Sequence, residues 1–188
     1  MVNITKVYTK TGDRGDTQVA AGVSISKGSQ RIEVIGGIDE LNASIGLCVS
    51  QIREDSDFEW LLQSALRIQN ELFNLGSQLA VLAVHRRENT PLITDEATTK
   101  LESEIDMINA DLPRLSSFIL PGGTEAASRF HFSRTICRRV ERTLVTLKDE
   151  VDDFEPVTLI FLNRLSDWLF VMARYCNFIK NYPETLWK

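Results

Sequence analysis

The stretch LLQSALRIQNELFNLGSQLAVL, Leu61 to Leu82, decides the fold. Its apolar residues Leu61, Ala65, Ile68, Leu72, Leu75, Leu79 and Leu82 recur in alternating steps of four and three. That rhythm lays one apolar stripe along a helix, the seam by which helices pack side by side. Toward the N-terminus, Ile38, Leu41, Ile45, Val49 and Ile52 repeat at helical spacing and predict a preceding helix. Toward the C-terminus, Leu101, Ile105, Ile108 and Leu112 predict a shorter third helix that starts at Thr94-Asp95-Glu96 and ends near Pro113.

The segment ILPGGTE breaks the chain, and Thr124 is placed to cap a fourth helix running to about Glu150. Pro156 suits the first turn of a fifth, along which Leu162, Leu165, Leu169, Met172, Cys176 and Ile179 repeat. No strand alternation of comparable length and no internal repeat is present. The expected fold is all-α: one domain over residues 1–188, with an irregular N-terminal segment (1–36) and a five-helix bundle (37–181).

The bulk composition narrows the function classes. With 43% hydrophobic and 25% charged residues, 188 residues can bury an ordinary globular core. A net charge of -5 argues against a general nucleic-acid binder. Cys48, Cys137 and Cys176 form no CxxC pair and suit a reducing compartment. No apolar run reaches the length of a membrane span, and MVNITKVYTK lacks the hydrophobic core of a secretion signal. The expectation is a soluble, cytoplasmic protein.

Chemistry gathers on the fourth helix. Arg134, Arg138, Glu141 and Arg142 are spaced i, i+4, i+7, i+8 and share one face, with His131 on the same polar side. Ile136, Val140, Leu144 and Leu147 lie roughly opposite. Three guanidiniums on one stripe call for an anion or for carboxylates between them. The planar fork of Arg suits phosphate, but a salt-bridged solvent face has the same pattern. The fifth helix carries a second polar stripe of Asn163, Asp167, Phe170, Arg174 and Asn177. Asp167 and Arg174 are expected to pair with other helices, and Asn163 could read a nucleotide's polar edge.

The N-terminal stretch YTKTGDRGDT, residues 8–17, has the parts of an anion cradle. Gly12 and Gly15 allow close backbone approach, Thr9, Thr11 and Thr17 carry hydroxyls, and Lys10 and Lys27 carry charge. Asp13 or Asp16 could hold Mg²⁺ or its waters. An exposed turn would use the same residues. No ExxH pair, zinc-type Cys/His cluster or GxSxG elbow occurs, and the two histidines read as surface or structural residues.

Five segments in register resemble one family, the PduO-type ATP:corrinoid adenosyltransferases. They are YTKTGDRGDT, GGIDELN, FILPGGTEAAS, RTICRRVER and NRLSDWLFVMAR, and the likeness runs from Val7 to about Asn177. It implies a five-helix bundle that assembles as a homotrimer with active sites between subunits. The implied reaction moves the 5′-deoxyadenosyl group of ATP, with Mg²⁺, to cob(I)alamin, giving adenosylcobalamin and triphosphate. A cob(II)alamin reductase and an adenosylcobalamin-dependent mutase or dehydratase are implied as partners, with no nucleic acid and no membrane.

Residue by residue, the resemblance assigns Thr9, Lys10, Thr11, Gly12, Asp13, Gly15 and Thr17 to the ATP phosphate loop and Lys27 to the phosphates. Arg138, Glu141, Arg142 and Asn163 are assigned to the nucleotide, with Arg138 catalytic. Asp39 and Arg134 would form a salt bridge across the subunit interface. Phe118 would close the lower face of the corrin ring, with Phe170 a second wall. Excluding a lower ligand leaves cobalt four-coordinate, which eases reduction of cob(II)alamin. The sequence departs from the family in KGSQRIEV, in Val140 where Ala is usual and in Trp168 where Tyr is usual. Asp16 occupies a variable position of the loop.

Overall fold

The computed structural model describes Tyr8, Lys10 and residues 12–188. Five helices dominate them: α1 (Gln30–Ile52), α2 (Glu59–Ala80), α3 (Asp95–Asn109), α4 (Glu125–Lys148) and α5 (Pro156–Ile179). A short antiparallel hairpin precedes them, β1 (Asp16–Gln18) and β2 (Ser24–Ser26), with Thr17 opposite Ile25. Strands of three residues are too short to show alternation in sequence, so the hairpin was not expected. In the bundle α2 packs on α1, α1 on α4, α4 on α5 and α5 on α3.

Helix α1 starts seven residues before the boundary expected at residue 37. Val34, fully buried four residues before Ile38, carries the apolar period one turn further back, and polar contacts anchor the same stretch. Arg31 pairs with Asp153 at 2.6 Å and donates to the Leu79 carbonyl, while Gln30 Nε2 donates to the Thr143 carbonyl. Asp39 therefore sits in the body of α1 and not at its start. Gly37 lets α1 approach α4 closely, since a Cβ there would come within 3.1 Å of Val140 Cγ2.

The seam of α2 is buried from Leu61 to Leu79, but Leu82 lies beyond the helix end at Ala80. Helix α3 stops at Asn109, short of Pro113. Among its buried residues is Glu104, which accepts hydrogen bonds from Arg67 Nη2 (2.8 Å), Trp168 Nε1 (2.8 Å) and Ser64 Oγ (3.2 Å). One carboxylate thus ties α2, α3 and α5, with its desolvation offset by three donors.

Thr124 caps α4 as expected, its Oγ1 accepting from Ala127 N at 3.2 Å. Gly123 just before it has φ 111°, and a Cβ there would fall 2.1 Å from Asn177 Oδ1. Asn177 fills that space and holds the turn, accepting from Thr124 N and donating to the Gly122 carbonyl. Pro156 opens α5, which by length and composition could cross a membrane, contrary to the expectation that no segment could. Its apolarity has a local cause, because it lies between α3 and α4 with Phe161, Leu165, Trp168, Leu169 and Met172 buried.

Candidate active site

On α4, Arg138 and Arg142 are exposed and neither forms an ion pair among the described residues. Arg142 Nη1 donates to the Arg138 carbonyl at 3.0 Å, one turn back. Glu141 Oε1 accepts from Asn163 Nδ2 of α5 at 2.8 Å, so the acidic member of the stripe is engaged sideways. Arg139, off the stripe, is paired with Glu40. The stripe is therefore an open cationic face with a polar amide at its edge, suited to an oxyanion that bridges guanidiniums.

One turn earlier, the same helix meets an aromatic cavity of about 720 Å³. Phe118, Phe170, Arg134, His131 and Trp187 line it. Phe118 is 80% exposed, so it does not anchor its loop to the core. The Arg134 guanidinium lies 5.6 Å from the centre of the Phe170 ring. His131 is only 5% exposed and packs 6.0 Å from that ring, so it is not on the open polar side of α4 as expected. Burial holds its pKa below the usual imidazole value; the Arg134 charge adds to this and Glu184 opposes it. His131 and Trp187 were not foreseen at this site. Trp187 carried no signal, because it lies beyond the last periodic segment.

The N-terminal cradle sits elsewhere. Gly15 N donates to the Gly12 carbonyl (3.3 Å), Lys27 N to the Gly15 carbonyl (2.8 Å), and Lys27 Nζ to the Gly12 carbonyl (2.8 Å). This draws the Lys27 ammonium onto the turn. Gly15, at φ 94°, takes a left-handed conformation, and so does Lys10 at φ 61°. Asp13 and Asp16 are exposed, while Thr9 and Thr11 lie outside the described residues. Thr17 and Lys27 line a second cavity, of about 620 Å³, together with Asp39, Ile35 and Phe73.

The three groups share neither of these two cavities. The lining of the α1–α2 cavity includes none of Arg134, Arg138, Arg142 or Asn163. Asp39 and Arg134 line different cavities, and neither has an ion pair among the described residues. Two further expectations need correction. Asp167 pairs with Arg164 of its own helix at 2.8 Å, because Arg164 is itself drawn to Glu102 of α3. Arg174 leaves its helix but meets Glu184 of the C-terminal segment and the Pro113 carbonyl, not another helix.

The helical bundle thus sets an open arginine face one turn from an aromatic cavity. The cobalamin adenosyltransferase family model matches residues 7–176, and the chain belongs to that family. It is 45% identical over 172 residues to the corrinoid adenosyltransferase of Bacillus subtilis (strain 168), covering 92% of this chain and 86% of the relative. It is 38% identical over 185 residues to the cobalamin adenosyltransferase of Cupriavidus metallidurans, covering 98% and 95%. A solved variant of the PduO-type ATP:corrinoid adenosyltransferase from Lactobacillus reuteri, complexed with cobalamin and ATP, superposes with a TM-score of 0.91. That pair is 38% identical over 97% of this chain and 99% of the other. The expected family, all-α bundle and adenosyltransferase class are borne out.

Proposed function

We infer that the chain transfers the 5′-deoxyadenosyl group of ATP to cob(I)alamin. The observation that carries this reading is the position of the two half-sites on α4. Arg134 lines the aromatic cavity, and Arg138, four residues on, opens the anion face. Four residues of helix rise about 6 Å. A triphosphate on the arginines can therefore leave C5′ at the mouth of the cavity that would receive the corrin.

The cobalt(I) electron pair attacks C5′, a Co–C bond forms, and the C5′–O bond breaks with its electrons leaving on triphosphate. Cob(I)alamin is itself a strong nucleophile, so no side chain need act as base. The chain's tasks are to orient C5′ and to stabilise charge on the departing phosphates. Arg138 and Arg142 serve the second task with Lys27 and the Thr9–Thr17 cradle, including Lys10, Thr11, Gly12, Asp13 and Gly15. Glu141 and Asn163 hold the nucleoside side. Phe118 and Phe170 bound the corrin, with Phe118 keeping the lower axial position closed.

The Mg²⁺ that accompanies ATP needs few protein ligands, since this hard cation keeps phosphate oxygens and waters. The exposed carboxylates of Asp13 and Asp16 fit that need, and no protein cage of three or more ligating residues occurs among the described residues. The cation supplies charge neutralisation at the phosphates.

Thr17 and Lys27 of the cradle line a cavity that holds none of the α4 arginines, which supports a homotrimer in which one copy's cradle meets the next copy's α4. Asp39 and Arg134 would pair across that boundary. Three buried, unpaired cysteines suit a reducing, cytoplasmic setting in which a reductase supplies electrons and a mutase or dehydratase takes the product.

The test is the absorbance change from cob(I)alamin to adenosylcobalamin with ATP and Mg²⁺, with triphosphate measured as co-product. Binding of both ligands without that change would favour a nonenzymatic carrier of the same ligands and overturn the reading.

A further inference from the structure

The loop that carries Phe118 is tied to the bundle at its ends, by Arg174 at Pro113 and by Asn177 at Gly122, but not at its tip. Among the described residues, the backbone hydrogen bonds of residues 116–120 go to the C-terminal segment: Leu120 N donates to the Thr185 carbonyl (2.8 Å) and Trp187 N to the Phe118 carbonyl (2.7 Å). Ile119 and Leu186 form the antiparallel bridge between them. Ser117 Oγ donates to the Trp187 carbonyl, and the Trp187 ring meets the Phe118 ring edge-on at 6.4 Å. The chain reaches this position by reversing after α5, with Asn181 at φ 53° and Tyr182 N donating to the Asn177 carbonyl.

What fixes the segment to the bundle is charge. Glu184 accepts from Arg174 Nε (3.0 Å) and Nη2 (3.2 Å), and the Arg174 side chain is only 4% exposed. The same guanidinium donates to the Pro113 carbonyl at 2.6 Å, at the other end of the Phe118 loop. Arg174 therefore grips both strands of this small ladder, one through Glu184 and one through Pro113. A ring that is 80% exposed has little core packing to hold it, so its place above the cavity depends on this ladder.

We propose that Glu184 and the backbone of Trp187 are positioning residues that hold Phe118 in place, so that the C-terminal strap controls the reduction of cob(II)alamin in this protein. The inference rests on the functional reading above. The step it governs is a one-electron reduction of cob(II)alamin to cob(I)alamin by a reduced flavin. It does not govern alkyl transfer once cob(I)alamin is present.

The experiment compares Glu184→Gln, Trp187→Ala and Trp187→Pro with the unaltered full chain. Trp187→Ala removes the ring and keeps the N–H; Trp187→Pro removes both. Each is assayed from cob(II)alamin with reduced flavin and from chemically prepared cob(I)alamin. Electron paramagnetic resonance of the cob(II)alamin–ATP complex gives the cobalt coordination.

Glu184→Gln and Trp187→Pro should lower the cob(II)alamin rate by about tenfold more than the cob(I)alamin rate. The spectrum should move from four- toward five-coordinate cobalt, and Trp187→Pro should exceed Trp187→Ala. Equal losses in both assays, or an unchanged spectrum in variants of native circular dichroism, would overturn the proposal. If Glu184→Gln does not fold, the Pro–Ala comparison at the exposed Trp187 decides alone. If the unaltered protein makes no adenosylcobalamin even from cob(I)alamin, the functional reading falls, and this inference with it.

Discussion

Glu141 Oε1 and Asn163 Nδ2 lie 2.8 Å apart and join α4 to α5 at the edge of the arginine face. The carboxylate is thereby turned toward the amide and away from a bare phosphate approaching Arg138 and Arg142. Replacing the amide by a second carboxylate should reverse this arrangement. Asn163→Asp sets two negative groups side by side at the nucleotide's edge. The repulsion at an exposed site is about 0.5–1 kcal/mol. Asn163→Asp should raise KM for ATP roughly two- to fivefold beyond the effect of Asn163→Ala. Identical KM values for the two variants would detach this pair from nucleotide binding.

Arg138 has no carboxylate partner among the described residues, whereas its neighbour Arg139 is paired with Glu40. Arg138→Ala is expected to cost about 1.5–3 kcal/mol of transition-state stabilisation, or roughly ten- to hundredfold in kcat/KM for ATP. Arg139→Ala removes only a surface ion pair and should stay within about threefold. Steady-state kinetics of the two proteins check the contrast; an unaffected Arg138→Ala enzyme would refute the assignment.

Asp39 and Arg134 line separate cavities of one chain, each without an ion pair among the described residues. If they meet between copies, each single charge reversal leaves a like-charge contact at the boundary. Asp39→Arg and Arg134→Asp should each lose activity, and the double exchange should recover part of it. Sedimentation must show the same assembly for all three proteins. A merely additive loss in the double variant argues against a direct pair.

If Phe118 closes the lower face of the corrin as proposed, Phe118→Ala opens a space that a water or the lower nucleotide base would enter. The reaction begun from cob(II)alamin should fall at least about tenfold further than the one begun from cob(I)alamin. Electron paramagnetic resonance should show a larger five-coordinate fraction. Equal losses with an unchanged cobalt spectrum would remove Phe118 from the reduction step.

Stability offers an independent check on the bundle. Glu104→Ala leaves the buried Trp168 indole N–H with no acceptor, while Arg67 keeps its ion pair with Glu71. The expected loss is about 1–3 kcal/mol, read as a fall in urea midpoint at unchanged slope. A midpoint within experimental error of the parent would mean that water or another side chain replaces the carboxylate.

The sequence by itself determined the helices that bury a continuous apolar face. The seam from Leu61 to Leu79, the Thr124 cap and the Pro156 start are local signals, and each appears where the residues place it. The arginine stripe was equally legible, because i and i+4 share a face whatever surrounds the helix. Tertiary structure alone decided what lacks a local period. The first turns of α1 extend the apolar period through buried Val34, but their anchoring by Arg31 on Asp153 and Gln30 on the Thr143 carbonyl uses partners more than a hundred residues away. His131 is buried because Phe170 of α5 packs on it, and Trp187 joins the aromatic cavity because the strap returns to the Phe118 loop. Which side chains share a cavity is set by contacts distant along the chain, and no window of sequence contains them.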